Sequence, residues 1–213
     1  MNKTICIAGA GTYGSYLANA ILECSPNTKI ILIETGGHHV KSEQEIGFSS
    51  FLKENSYNAA SKGRYFGLGG TSAKWGGQLL FFSDNDCIYD SSMDSIKQMN
   101  YKYKDRVLNR FFLEAPKLEE KKIGRGLYIK SGIWLQFNKR NLFTYFQLSK
   151  NPNIEVITNA RVKKINFTSQ KVNSITILKD GIEQNIQADT FYITCGALET
   201  MRLLSKSDFF NLE

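Results

Sequence analysis

The chain has 213 residues, 42% of them hydrophobic and 12% aromatic, a composition typical of a globular protein and unlike that of a disordered one. Its formal net charge is +7, but Lys and Arg are spread along the sequence rather than clustered, so we expect no nucleic-acid partner. No apolar run reaches the ~18 residues that a membrane span needs, so we expect no span.

The sequence opens with a strand, a glycine-rich turn, a helix and a second strand. Residues 4–8 are a short β-branched apolar run, which predicts a strand buried on both faces. The turn at 9–14 reads Gly-Ala-Gly-Thr-Tyr-Gly, and residues 15–24 place apolar side chains at helical spacing. Residues 29–34 form a second buried strand that ends in an acid. This order is typical of a dinucleotide-binding unit.

Each glycine of the turn has a physical reason. Gly9 permits the tight turn, Gly11 lets the backbone approach a pyrophosphate, and Gly14 lets helix and strand pack closely. Thr12 lies at the helix N-terminus, where free N–H groups attract an anion. Glu34 lies 20 residues after Gly14, where a carboxylate accepts hydrogen bonds from an adenosine ribose. A turn that serves packing alone is the alternative, and it leaves Glu34 unexplained.

The middle of the chain is less patterned. Residues 41–66 mix polar residues with Phe48, Phe51 and Leu52, which fits a short helix or an ordered loop equally well. Residues 67–77 hold five glycines around Trp75. Residues 95–114 carry apolar side chains near the helical period, and they predict one helix ended by Pro116. We interpret that helix as a surface helix rather than a ligand site.

Beyond residue 153 the pattern changes to short strands. The segments at 154–158, 161–167, 172–178 and 183–187 predict a small antiparallel sheet, with a hairpin turn at 179–181. Residues 190–194 then predict a strand that runs through Cys195 and Gly196 into a helix. This step repeats the logic of the opening unit, and it places a second helix N-terminus at the same crevice.

The four cysteines at positions 6, 24, 87 and 195 show neither metal-ligand nor redox spacing. We therefore predict reduced, buried thiols in a cytoplasmic protein, with no metal site.

Together these segments resemble the N-terminal part of a flavin-dependent oxidoreductase of the glucose-methanol-choline type. The resemblance is carried by the turn at 9–14 with Glu34, by residues 67–77, by 159–165 and by 195–204, in this order. It implies an α/β fold: a Rossmann-like FAD-binding domain over residues 1–213, with a parallel sheet and a small antiparallel β-meander. Residues 83–150 would form a helical insertion toward the substrate domain, and the C-terminal catalytic portion would be absent.

The resemblance also implies which further residues contact the cofactor. The flavin diphosphate and isoalloxazine would lie along Gly69, Gly70, Thr71 and Ser72. Trp75 would pack beside the ring system or anchor the following segment in the core. Val162 would lie near the adenine or be a plain strand residue, and Gly196 and Ala197 would line the far side of the diphosphate. Lys74 stands where sugar-oxidising relatives carry a covalently bonded histidine, so we expect no covalent attachment.

The implied function is FAD-dependent hydride transfer from an alcohol or sugar CH–OH group. The family supplies the histidine base from its C-terminal portion, whereas the only histidines here, His38 and His39, follow the second strand and would lie far from the flavin. We expect no catalytic residue in this chain and therefore an incomplete enzyme: a truncated gene product, a fragment, or one half of a split enzyme whose missing part a separate chain supplies. The alternative is a non-catalytic dinucleotide-binding module. A third candidate, a nicotinamide-dependent reductase, would need a Tyr–Lys or similar acid pair, which we do not find in the sequence.

Overall fold

The structure is a computed structural model, which describes residues 3–48, 50, 62–86, 91–114, 116–168 and 171–207. The chain divides into two compact units, one formed by 1–74 with 141–213 and the other by 75–140. Within the described ranges, none of the helices combines the length and the apolar character that crossing a membrane requires.

The helices and strands are numbered in chain order. Before residue 75 they are β1 Thr4–Ala8, α1 Thr12–Cys24, β2 Lys29–Ile33, β3 Lys41–Ser42 and β4 Tyr65–Phe66. The second unit holds β5 Gln78–Leu79, α2 Asp94–Leu108, β6 Glu120–Gly124, β7 Leu127–Lys130 and β8 Ile133–Trp134. The rest are α3 Leu142–Tyr145, β9 Ile154–Ile157, β10 Ala160–Thr168, β11 Lys171–Lys179, β12 Ile182–Gln187, β13 Thr190–Ile193 and α4 Ala197–Ser205.

A four-stranded parallel sheet forms the centre of the first unit. Its order is β13-β1-β2-β9, with Ile5 opposite Ile30 and Thr190 in the register. The predicted strands at 4–8, 29–34 and 190–194 are thereby confirmed. The prediction for 154–158 was wrong in one respect, because β9 pairs parallel with β2 instead of joining the antiparallel sheet. Its alternation of apolar and polar residues is the pattern of a sheet edge, where one strand face is only partly covered.

The two faces of this sheet bury different residues because side chains alternate along a strand. Ile5 and Ile7 of β1 pack in one apolar cluster with Ala18 and Leu22 of α1. Cys6 and Ala8 pack in a second cluster that includes the inner face of the meander and Leu203 of α4. The first unit is therefore a three-layer arrangement of helix, parallel sheet and meander.

The antiparallel meander was predicted correctly. It has the order β10-β11-β12, and Asp180 and Gly181 connect its last two strands. Both residues have positive φ, 52° and 77°, which is the conformation that a two-residue hairpin turn requires.

The second unit contains the helix predicted at 95–114. The helix is α2, and it ends at Leu108 instead of running to Pro116. The next residues form tight turns, with Arg110 N–H donating to Val107 O and Phe111 N–H to Leu108 O, and this turn buries Phe111. Leu108 is the buried residue of α2, which agrees with the surface-helix interpretation.

Two further predictions concern less regular parts. In the described part of 41–66 the chain forms β3, a 3₁₀ helix at Gln44–Ile46 and β4. Phe51 and Leu52 lie outside the described residues, so the alternatives of a short helix and an ordered loop stay open there. Cys6 is buried and Cys195 half-buried, as predicted, but Cys24 is exposed at the end of α1. Cys87 lies outside the described residues. None of the three described cysteines forms a disulfide.

Candidate functional site

The first glycine turn packs tightly against the strand–helix step near the end of the chain. A methyl group at Gly9, which has φ of +106°, would lie 2.7 Å from the carbonyl oxygen of Thr194. A methyl group at Gly14 would overlap the carbonyl oxygen of Gly9. The Thr194 hydroxyl donates to that same oxygen over 2.7 Å. Gly9 and Gly14 are therefore required by packing within the protein itself.

Gly11 differs from these two because it has no close neighbour among the described residues. Of those residues, a methyl group there would meet only the Cα of Gly70, at 4.0 Å. Gly11 has φ of −72° and is the N-cap of α1, with no side chain capping the helix. The first N–H groups of α1, from Thr12 onward, have no partner inside the helix. This end of α1 is thus a bare, positively polarised surface.

The second glycine turn lies directly against the first. Gly69 N–H donates to the carbonyl oxygen of Ala10 over 2.9 Å, and a methyl group on Gly70 would lie 2.8 Å from the Cα of Gly11. Gly69 and Gly70 both have positive φ, 90° and 51°, and they are buried. The structure therefore brings together two glycine turns that are about sixty residues apart.

The hydroxyl residues of the second turn have different surroundings. Ser72 is 1% exposed; its hydroxyl donates to the Gly69 carbonyl over 2.6 Å and accepts from Leu142 N–H at 3.2 Å. The Ser72 side chain is thus engaged inside the protein, where it holds the turn in shape. Thr71 has an exposed side chain that makes only a long 3.5 Å hydrogen bond to the Gly63 carbonyl, so its hydroxyl is available to a ligand.

Glu34 lies at the end of β2 and is 6% exposed. Its carboxylate accepts backbone N–H bonds from Ala10 at 3.0 Å and from Gly36 and Gly67 at 2.9 Å each. Burial raises the pKa of Glu34, and these backbone hydrogen bonds partly offset that rise. A backbone hydrogen bond from Thr35 lowers the pKa of Glu34 in the same way, so backbone N–H groups take up most of the about four acceptor positions of the carboxylate. Glu34 thereby joins both glycine turns.

The remaining predicted residues of the first unit lie on β10 and at the start of α4. Val162 is 4% exposed, and its carbonyl oxygen accepts a hydrogen bond from Arg202 Nη2 over 2.8 Å. Gly196 is the N-cap of α4, with φ of +78° and open space beside it, and Ala197 is exposed. The start of α4 is therefore a second bare helix N-terminus.

Trp75 belongs to the second unit. Its indole N–H donates to the carbonyl oxygen of Arg140 over 3.0 Å, which joins the first and last residues of that unit. Of the two roles predicted for Trp75, this hydrogen bond supports the anchoring one.

Sequence reasoning missed Asn141. Its Nδ2 donates to the Leu68 carbonyl over 3.1 Å, and its Oδ1 accepts from Thr144 N–H over 3.2 Å as the N-cap of α3. A methyl group at Gly69 would overlap the Asn141 side chain. The signal available in the sequence was an asparagine immediately before a short apolar segment, which indicates a cap but does not show that it faces the glycine turn.

The two histidines are both exposed and lie in the loop after β2. The hydrogen bonds given above for the site include those of Glu34, Ser72, Asn141 and Thr194, and among the described residues none of these bonds comes from a histidine side chain. The arrangement can bind a phosphate-containing ligand through backbone N–H groups, but its described residues present no histidine base there.

Comparison with known proteins gives matches in solved structures. No family model and no curated protein matches the chain. Pyridoxine 4-oxidase from Mesorbium loti has a TM-score of 0.64 at 15% identity, covering 97% of this chain and 52% of that one. A fungal aryl-alcohol oxidase has a TM-score of 0.57 at 12% identity, with 97% and 48% covered. An FAD-dependent oxidoreductase from Chaetomium thermophilum has a TM-score of 0.57 at 14% identity, covering 98% of this chain and 48% of that one.

These likenesses concern the fold. Nearly the whole chain is matched, but it spans about half the length of the solved structures. These likenesses, together with the parallel sheet and the meander, confirm the α/β architecture that the sequence motifs predicted. The chain therefore has the fold of about half of each of these solved oxidases and oxidoreductases.

Proposed function

We propose that the chain binds FAD at the two glycine turns and serves an FAD-dependent oxidoreductase. One observation carries this proposal: Gly11 and Gly70 lie against each other at the N-terminus of α1, and among the described residues the atoms nearest to the Cβ position of either, its chain neighbours aside, belong to the backbone. A long, doubly negative ligand needs such a bare backbone, because N–H groups can reach its phosphates only where Cβ atoms are missing.

The residues present fit this cofactor. Gly11 and Thr12 would face the diphosphate at the α1 N-terminus, where Gly9 and Gly14 keep the turn tight, and the start of α4 at Gly196 and Ala197 would face it from the other side. Glu34 would accept a hydrogen bond from a ribose hydroxyl. Gly69, Gly70, Thr71 and Ser72 would border the flavin end, Trp75 would support the segment that follows, and Val162 would border the adenine.

The proposed reaction is oxidation of an alcohol or sugar CH–OH group. FAD, when bound, supplies the hydride acceptor for such a reaction. Two of the matched structures are named for alcohol substrates, pyridoxine and aryl alcohols, and this supports a small-molecule alcohol here. The alcohol proton must also pass to a base, for which histidine is suited at neutral pH. His38 and His39 have exposed side chains, and His39 approaches the glycine stretch at Gly67 through its backbone carbonyl.

We therefore propose that activity requires a polypeptide equivalent to the other half of the matched structures, with the segment at 83–150 on the substrate side. Exposed apolar side chains of the second unit support this, since such side chains favour burial against a partner. Leu113 and Phe137 are the extreme cases, at 106% and 85% exposure. The thiols at Cys6 and Cys195, which form no disulfide, support a cytoplasmic location.

A non-catalytic dinucleotide-binding module is the second candidate. The exposed position of both histidines favours it, because the glycine turns can bind a nucleotide without any base nearby. A nicotinamide-dependent reductase lacks this support, since the second glycine turn has no role in a bare nicotinamide site.

Titration of the purified chain with FAD, followed by the visible absorption of oxidised flavin near ~450 nm and by quenching of flavin fluorescence, tests the binding proposal. We expect saturable binding, with NAD⁺ and NADP⁺ as negative controls. Reduction of the bound flavin by an alcohol only after a complementary polypeptide is added would support the oxidoreductase over the module. Absence of FAD binding would contradict both.

A further inference from the structure

A network of ion pairs lies beside the proposed site, and Glu199 is its centre. Glu199 is in the first turn of α4. Its carboxylate oxygens lie 3.1 Å from Arg64 Nη2, 2.6 Å from Arg202 Nε and 3.9 Å from Arg161 Nη2. The Glu199 side chain is 15% exposed, so these pairs are only partly screened by water.

Two of the three arginines have further contacts that fix their orientation. Arg64 Nη1 also pairs with Glu43 at 3.3 Å, and its guanidinium lies 5.0 Å from the centre of the Phe66 ring. The Arg161 guanidinium lies 3.9 Å from the centre of the Phe48 ring. Such planar stacking orders a guanidinium while leaving its N–H edge free for carboxylates.

The network joins three parts of the chain that carry predicted cofactor residues. Arg64 precedes β4 and the second glycine turn by a few residues, Arg161 is adjacent to Val162 in β10, and Glu199 follows Gly196 and Ala197 in α4. Arg202 adds a fourth connection, because its Nη2 donates to the Val162 carbonyl. None of these charged side chains belongs to the predicted site itself.

We propose that Glu199 is a positioning residue, which keeps the second glycine turn at the correct distance from β10 and α4 for FAD to fit between them. This inference rests on the FAD-binding proposal above. Glu199 acts through Arg64, because Arg64 is the arginine whose main chain leads directly into the turn.

The electrostatics explain why Glu199 is the critical member. Burial by itself would raise the pKa of Glu199, but the hydrogen bonds and charges of Arg202, Arg64 and Arg161 lower it overall. Burial and the neighbouring Arg202 and Arg64 lower the pKa of Arg161. Without the Glu199 carboxylate, Arg202 and Arg161 would lose the carboxylate between them and Arg64 would keep only its pair with Glu43, so the half-buried guanidinium groups would repel one another and the segment carrying Arg64 would move away.

The test compares FAD dissociation constants of variants with that of the unmodified chain. Glu199→Gln and Arg64→Met each remove the ion pair between Arg64 and Glu199. The double variant removes the same ion pair and no second one between these two residues. Arg64→Lys retains a charge that can still reach Glu199. Glu183→Gln, an exposed carboxylate of β12, is the matched control for loss of one charge. All titrations are made at a temperature at which circular dichroism shows each variant folded.

We expect Glu199→Gln and Arg64→Met each to weaken FAD binding about tenfold, within the range usual for coupling between sites. The double variant should be no weaker than either single one, Arg64→Lys should recover part of the loss, and Glu183→Gln should bind like the unmodified chain. Independent losses that multiply in the double variant would overturn the bridging role. So would unchanged binding in Glu199→Gln, while an unmodified chain that does not bind FAD would overturn the proposed function itself.

Should Glu199→Gln fail to fold, Arg64→Met and Arg64→Lys carry the test by themselves. The expected result is then partial recovery of FAD binding with lysine over methionine. Equal binding by those two variants and the unmodified chain would overturn the inference.

Discussion

Gly11 and Gly14 belong to one sequence motif, yet different partners require their lack of a side chain. At Gly14 the partner is the protein itself, since a methyl group would overlap the Gly9 carbonyl oxygen. At Gly11 the nearest atom to a methyl group would be 4.0 Å away, and its φ of −72° is accessible to any residue. None of the described residues requires glycine at position 11, and this supports the proposed ligand there.

This difference gives a prediction for a pair of variants. Gly11→Val should change the free energy of unfolding by no more than ~1 kcal/mol, the cost of a poor N-cap residue, and should abolish FAD retention by filling the diphosphate space. Gly14→Ala should lower the free energy of unfolding by at least ~3 kcal/mol through overpacking. Urea unfolding and FAD titration measure the two effects. Retention of FAD by a folded Gly11→Val chain would contradict the nucleotide site.

Glu34 has a structural role besides the one that its spacing predicts. Its carboxylate is the acceptor for N–H groups of Ala10, Gly36 and Gly67. Glu34→Ala would leave these donors without their partner, and we expect it to reduce stability as well as FAD affinity, the latter by about 1–3 kcal/mol. An effect on FAD binding alone would mean that the carboxylate does not support the turns.

The pH dependence of stability isolates the charge of Glu34. Burial raises its pKa above the ordinary 4.5, so above pH 4.5 the unfolded chain loses this proton while the folded chain keeps it. The Glu34 contribution to the free energy of unfolding therefore falls as pH rises through the raised pKa, and a tenfold difference in proton affinity between the folded and unfolded chains corresponds to ~1.4 kcal/mol. Urea unfolding from about pH 4.5 to about pH 7.5 should show this slope relative to Glu34→Gln, which lacks the titrating group. Parallel curves would contradict it.

At the scale of elements, the short helix α3 depends on its cap and supports the second glycine turn. Asn141→Ala removes the cap on Thr144 N–H and the hydrogen bond to the Leu68 carbonyl. We expect a loss of ~1 kcal/mol in the free energy of unfolding for the cap, and weaker FAD binding because Leu68 adjoins the turn. Asn141→Asp keeps the capping acceptor and loses only the donor to Leu68.

Thermal unfolding and FAD titration of these two variants separate the functions of Asn141. We expect Asn141→Asp to retain most of the stability but to share the loss in FAD affinity. If both variants bind FAD as the unmodified chain does, Asn141 serves α3 alone.

Element prediction succeeded where the pattern is local. The strands β1 and β2, the helix α1 and the hairpin at Asp180 and Gly181 follow from periodicity and turn chemistry. The prediction was wrong for the sheet that contains β9, because alternation of apolar and polar residues indicates a strand but does not indicate which sheet the strand joins. It also extended α2 beyond Leu108, because the apolar spacing continues to Phe111 and Phe112 while the backbone changes to tight turns at Arg110 and Phe111.

At the scale of the whole molecule, the two units differ in the exposure of their apolar side chains. Many of those in the second unit are exposed, whereas most of the buried ones belong to the first unit. Leu113→Ser and Phe137→Ser should leave the free energy of unfolding within about 0.5 kcal/mol, because both side chains are already in water. They should also reduce self-association in sedimentation velocity experiments. Leu135→Ser is the matched control, because Leu135 is 1% exposed and its loss should cost ~2–5 kcal/mol.

A loss of stability in Leu113→Ser or Phe137→Ser equal to that in Leu135→Ser would show that these side chains are buried in solution. That result would remove the support that their exposure lends to a partner polypeptide.

The sequence by itself determined the glycine turns, the acid at the end of β2 and the order of strand, turn and helix, because each depends on neighbours within a few residues. Only the tertiary structure decided that Gly69 bonds to Ala10, that Glu34 is shared by three backbone N–H groups, and that Glu199 meets Arg64. These contacts join residues up to 135 positions apart, and no local periodicity encodes such a pairing. They depend on how the layers pack, which is a property of the folded chain as a whole.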